Sequence, residues 1–226
     1  PSREGVVVDW VQHVEKWRDC QRCPLGKQRD RIVLARGTLP ADVLWVGEAP
    51  GMSEDALGLP FVGPAGILLD QIVARALPAG VTSAFTNLVA CFPREAKEAG
   101  MNEPERGEVL ECRPRLVEFT NLARPRLIVR VGRMVSSYMA FDGSVPMVDV
   151  VHPAAILRMP LAQKQGATQH AIVQVRNAWD DGADAGAQEW KPGGNCDERA
   201  RRERLQVIYD DAARNSGRHP DDPIPF

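Results

Sequence analysis

The feature that most restricts this chain is an apolar run, Val43-Leu44-Trp45-Val46, cut off by Gly47-Glu48-Ala49-Pro50-Gly51. A short run of large apolar residues stopped by Gly and Pro reads as a buried strand that ends at a shaped loop. In an open α/β sheet, the loop at the carboxyl end of a strand is where ligands bind. The sequence continues MSEDALGLPFVGPAG, with an acidic pair, Glu54 and Asp55, and with Phe61 between a proline and a glycine-rich turn.

Three further runs repeat the pattern: 84–89 (AFTNLV), 127–131 (LIVRV, closed by Gly132) and 147–151, which ends at His152-Pro153. Between them lie stretches with apolar residues at helical spacing, over 65–77, 103–122, 133–140 and 169–180. A shorter helical pattern over 8–18 precedes them. Strands alternating with helices imply right-handed crossovers and a mainly parallel sheet with helices on both faces, an α/β fold.

This alternation stops near residue 180, so one domain is expected over 1–180. Residues 181–226 read as a Gly/Ala-rich linker, a charged helix over 197–214 with Asn195 as its N-cap, and a Pro-rich end that is disordered when free. Seven basic residues against ten acidic ones give this tail a net charge of −3, while the remainder carries +1. The overall formal charge of −2 excludes a strongly basic nucleic-acid binder. Locally, seven basic residues between Lys16 and Arg36 face only Asp19 and Asp30. They form either a solvated face or a surface that lies along phosphates. No apolar run reaches the length of a membrane span and the first residues carry no signal-peptide pattern, so a cytoplasmic protein with no membrane partner is expected.

Three strand ends carry polar punctuation: Glu48, Asn87 and His152. Parallel strands bring their carboxyl ends to one edge, so an acid, an amide and an imidazole converge on one crevice able to hold a hydrogen-bonding heterocycle. Cys20 and Cys23 form a C-x-x-C, and Cys91 and Cys112 follow. In a cytosolic chain these are not a disulfide set. Four thiolates suit either structural zinc or a [4Fe–4S] cluster. Cys196, alone in the tail, reads as a free surface thiol.

GEAPG, PFVGPAG, TNLVAC and HPAAILR, in this order and spacing, resemble the uracil-DNA glycosylase superfamily, and the cysteine pattern resembles its iron–sulfur branch, family 4. The match covers roughly residues 20–180. The resemblance implies a three-layer α/β/α sandwich with a central four-stranded parallel sheet, and a monomeric DNA-repair enzyme. Such an enzyme flips uracil out of single- or double-stranded DNA and hydrolyses its N-glycosidic bond, leaving an abasic site. Phe61 then stacks on the base, and Asn87 pairs with uracil N3–H and O4. The backbone of the loop from Gly47 to Gly51 approaches the ligand. His152 donates to the O2 of the leaving base. Glu48 orients the attacking water, with Glu54 a rival for that role.

The resemblance also implies that Leu157, with Ile156 second, fills the gap left by the flipped nucleotide while Arg158 meets a phosphate. It assigns Cys20, Cys23, Cys91 and Cys112 to a [4Fe–4S] cluster of structural role, pinning the N-terminal loop to the segment after Asn87. Two departures stand out. The family more often has Ser-Tyr where this chain has Ala154-Ala155, which removes a phosphate-binding hydroxyl. The segment between Cys91 and Cys112 is longer than usual. It contains no His, which excludes the covalent uracil-trapping variant. Alternatives are a glycosylase for another deaminated base and a non-catalytic DNA-binding or recruitment protein on the same fold. The terminal DDPIPF resembles the acidic tip of bacterial single-stranded-DNA-binding proteins, which implies a replication or repair partner.

Overall fold

The computed structural model describes residues 3–94, 103–139 and 145–182. The expectations for Cys196, the helix over 197–214 and the DDPIPF end lie outside the described residues, as does part of the loop before Cys112.

A two-residue strand β1 (Arg36–Gly37) is followed by β2 (Val43–Gly47), β3 (Ser83–Asn87), β4 (Leu127–Val131) and β5 (Met147–Val150). The sheet order is β1-β3-β2-β4-β5. The four expected strands are parallel, and β1 adds an antiparallel edge beside β3, so the sheet has five strands rather than four. Two residues, one of them Gly37 at φ 109°, leave no apolar pattern by which such a strand is read.

Side chains alternate across the sheet, as the strand period requires. Leu44 and Val46 face Leu116 and Phe119 of α4 (Arg106–Ala123) and Val135 of α5 (Arg133–Tyr138). Val43 and Trp45 face Leu69 and Ile72 of α3 (Pro64–Ala76) and Ile172 and Val175 of α7 (Leu161–Gly182). The result is the three-layer α/β/α arrangement. Helix α1 (Arg3–Trp17) lies outside α4, where His13 Nδ1, Lys16 Nζ and Trp17 Nε1 all meet the Glu118 carboxylate. None of the described helices is long and apolar enough to cross a membrane.

Two short helices have no counterpart in the sequence reading. Helix α2 (Met52–Leu57) begins where Glu54 turns back onto the Gly51 N–H and ends at Gly58, φ 74°. Helix α6 (Pro153–Arg158) is capped by the side chain of His152. Six residues are too few to show a helical period. Helix α7 starts at Leu161 rather than at 169, because its first turns pack only small residues such as Ala167.

Candidate functional site

The carboxyl ends of the parallel strands form a row. Asn87 ends β3 directly opposite Gly47 of β2, Glu48 follows β2, Gly132 follows β4, and His152 follows β5. Glu48, Asn87 and His152 therefore occupy one edge of the sheet, and two glycines bring their neighbours together.

The first glycine is Gly47. A methyl group placed on it would lie 2.4 Å from Asn87 Oδ1 and 2.5 Å from Phe61 Cζ, so amide and ring both rest against its Cα. Among the described residues no hydrogen-bond partner occupies the Asn87 carboxamide. Phe61 has φ 56°, a left-handed backbone that a bulky residue avoids. Several contacts over-determine it. Glu54 Oε1 accepts the N–H groups of Val62 and Gly63 at 2.9 and 2.7 Å. Arg36 donates to the carbonyls of Pro60 and Phe61 at 2.8 and 3.3 Å, pairs with Asp70 at 2.6 Å, and lies 3.9 Å over the Phe85 ring. Phe85 in turn meets Phe61 edge-on at 6.2 Å. Gly66 leaves room beneath, since a Cβ there would fall 1.9 Å from the Phe61 carbonyl oxygen.

The second glycine is Gly132, φ 100°. A Cβ on it would lie 2.6 Å from Glu48 Oε1 and 3.1 Å from His152 Cδ2. Carboxylate and imidazole thus flank one backbone atom that must stay bare. Glu48 accepts the Met134 N–H at 3.3 Å. Burial pushes its carboxyl up to about 7, against the smaller opposing effect of that hydrogen bond. Burial, aided by Arg158, lowers His152 to about 4, so its ring is neutral at pH 7. His152 Nδ1 accepts the Ala154 N–H at 3.1 Å, which leaves the proton of the neutral ring on Nε2.

The remaining expected residues divide. Glu54 uses both oxygens on backbone N–H groups of Gly51, Val62 and Gly63, so the rival water-orienting carboxylate is a fastener of the Phe61 turn. The Gly51 N–H is likewise spent on Glu54. Leu157 and Arg158 lie exposed on α6, but Ile156 is fully buried with Val151, Ala155, Met159 and Ala167. Its expected role as a wedge is corrected: the phase of α6 points it into the core. The basic stretch is largely engaged within the protein, by Lys16 on Glu118, Arg22 on Glu111 and Arg36 on Asp70.

Cys20, Cys23, Cys91 and Cys112 are free thiols bordering a single cavity, together with Trp17, Arg29 and Arg115. Arg29 donates to Cys91 Sγ at 3.2 Å and to the Cys20 carbonyl at 2.8 Å. Burial raises Cys91 to about 11 and Cys23 in the same direction, so as free thiols they hold their protons. Among the described residues no three His, Cys, Asp or Glu side chains are gathered so as to hold a metal ion. Asp55, buried on α2, ties this region to the pocket. It accepts the N–H groups of Asp30 and Arg31 and pairs with Arg94 at 2.6 Å.

Gly132, Arg36, Asp55 and Arg115 escaped the sequence reading. Gly132 was legible only as the end of a strand, and Arg36 was hidden among six other basic residues. A buried arginine inside a helical pattern leaves no signal.

Residues 35–176 match the family model for the uracil DNA glycosylase superfamily. The type-4 uracil-DNA glycosylase of Saccharolobus solfataricus is 39% identical over 54% of this chain and 55% of its own length. That of Pyrobaculum aerophilum is 33% identical over 63% of this chain and 82% of its own. That of Archaeoglobus fulgidus is 29% identical over 67% and 85%. The match spans about half of the first of these relatives and most of the other two. With the family model covering more than half of the chain, and with the sheet edge built as described, this chain belongs to the uracil DNA glycosylase superfamily.

Proposed function

We propose that the chain is a monofunctional uracil-DNA glycosylase, which takes uracil out of the DNA stack and hydrolyses its bond to the sugar. One observation carries this reading. Phe61 and an unengaged Asn87 amide meet over Gly47, while Glu48 and a neutral His152 meet over Gly132. The Asn87 amide offers an acceptor to uracil N3–H and a donor to O4, and cytosine presents the opposite pattern there. A buried amide left unpaired against the wrong base gives a large penalty.

As the C1′–N1 bond breaks, its electron pair passes to the uracil ring and charge grows on O2. The His152 Nε2–H hydrogen-bonds to that oxygen and needs no proton transfer to do so. Glu48, ionised above about pH 7, orients water toward C1′ and accepts its proton as the new C1′–O bond forms. Leu157 fills the vacated stack and Arg158 meets a phosphate.

The four thiols border one cavity, and the Arg29 guanidinium on Cys91 Sγ favours a thiolate there, which suits a thiolate-held iron–sulfur group. Cys20, Cys23, Cys91 and Cys112 would hold a [4Fe–4S] cluster. When bound it supplies a staple joining the N-terminal loop, the segment after β3 and α4.

Uracil release from a labelled oligonucleotide tests the activity, with Asn87→Ala as control. Release from U·G and single-stranded substrate is expected, and release from neither overturns the proposal. Iron and sulfide analysis tests the cluster separately. The DDPIPF end is proposed to recruit a replication or repair partner. Unchanged partner binding after deletion of the last three residues would refute that.

A further inference from the structure

Arg115 is 1% exposed, and among the described residues no carboxylate pairs with it. Its Nη1 donates to Thr86 Oγ1 at 2.7 Å and reaches the Leu34 carbonyl at 3.5 Å. Its Nη2 donates to the carbonyls of Asn87 and Leu88. Thr86 Oγ1 donates to the same Leu34 carbonyl at 2.8 Å, which closes the network. Nε is buried without a partner. The acceptors are neutral, so they satisfy the donors without balancing the charge. A buried, uncompensated cation costs several kcal/mol, on the order of what an entire small domain has to spare.

The same side chain borders the cavity of the four cysteines. It stands three residues after Cys112 on α4, the spacing that puts two side chains on one helix face. A [4Fe–4S] group held by four thiolates is negatively charged in both of its common oxidation states. Held by this donor set, it would answer the buried charge from that side, as a zinc ion on the same four thiolates also would. Arg29, which donates to Cys91 Sγ, gives a second cation at the rim.

We propose that Arg115 is a positioning residue that couples the cysteine site to the uracil-reading strand end: its charge is balanced by the thiolate-held group, and its fork fixes the carbonyls of Asn87 and Leu88. Loading of the cysteine site thereby sets the backbone from which the Asn87 amide projects. This rests on the cluster reading given above.

The test compares the full chain with Arg115→Lys and Arg115→Gln, all prepared without oxygen. Iron and sulfide content, reduction potential, and kcat and KM on a uracil oligonucleotide are measured. Arg115→Gln removes the charge, so the potential is expected to move negative and iron to be lost faster to a chelator. Arg115→Lys keeps the charge but cannot span four acceptors. It is expected to keep iron content and potential while kcat/KM falls about 10-fold or more. Wild-type potential and kcat/KM in iron-loaded Arg115→Gln would overturn the coupling and leave the cluster reading intact. Should that variant fail to load, wild-type kcat/KM in Arg115→Lys overturns it instead. Wild-type chain free of iron and sulfide would overturn both.

Discussion

The base pocket and the cysteine cavity are neighbours beyond the carboxyl end of β3, with Asn87 in one and Cys91 in the other, yet they are held together by different means. The pocket is a product of sheet register. Asn87 opposes Gly47, Glu48 and His152 meet over Gly132, and backbone ladders fix each strand end. The cavity gathers α1's end, the loop after it, the segment beyond β3 and α4, with no ladder among them. Side chains do the joining: Glu118 to His13, Lys16 and Trp17, Arg29 to Cys20 and Cys91, and Asp55 to Asp30, Arg31 and Arg94. A site built on register is formed once the sheet is formed. One built on long-range side-chain contacts needs a further tie, and four thiols supply the means.

This contrast can be broken at several points. The largest effect belongs to the pocket: His152→Ala removes the proposed donor to the leaving base and should lower kcat about 10²–10³-fold in uracil release, with a loss of about 1 kcal/mol of stability from the missing cap on α6. Asp55→Ala attacks the joint between the two regions. It leaves the Asp30 and Arg31 N–H groups without their acceptor, while Arg94 keeps Asp30, and should cost about 2 kcal/mol in denaturant unfolding, with earlier loss of iron. A variant as stable as wild type would mean that cavity and pocket stand independently.

Acidity sharpens the comparison, because burial brings the pocket carboxyl of Glu48 up to about 7 but moves the Cys91 thiol at the cavity away to about 11. Glu48, with a folded-state value of about 7, must be ionised to act in the proposed role. The rate should therefore rise about tenfold from pH 6 to a plateau near pH 8. Linkage runs the other way. The folded carboxyl binds its proton more tightly than the ordinary value of 4.5, so stability falls between pH 4.5 and about 7, by up to about 3 kcal/mol. Glu48→Gln should flatten both profiles, losing activity and melting higher at pH 8. The smallest effect is expected at Arg36→Met. It frees the left-handed Phe61 backbone and should weaken uracil affinity by roughly 1–2 kcal/mol while leaving the cysteine site untouched.

Much of the fold was legible because β2, β3, β4 and β5 are short runs built around apolar residues, and their ends carry Gly, Asn or His-Pro. Period and punctuation suffice for such strands. The convergence of Glu48, Asn87 and His152 followed from parallel topology alone. Which of two carboxylates is free was not legible. Glu48 and Glu54 differ in hydrogen bonding, and two of the three N–H groups on Glu54 come from residues eight and nine positions later. Nor was the choice between Ile156 and Leu157, which needs the phase of a six-residue helix. Arg115 escaped because its partners lie about thirty and eighty residues back in the chain, on segments that only the folded sheet brings near.

The pairing of Gly47 with Asn87 bears on fidelity. Side chains alternate across a strand, so slipping β3 by one residue would turn the amide to the other face of the sheet. Under the proposed function, selectivity for one base edge is then tied to the pairing of the central strands themselves. A mutation that disturbs this pairing is then expected to lose recognition rather than widen it.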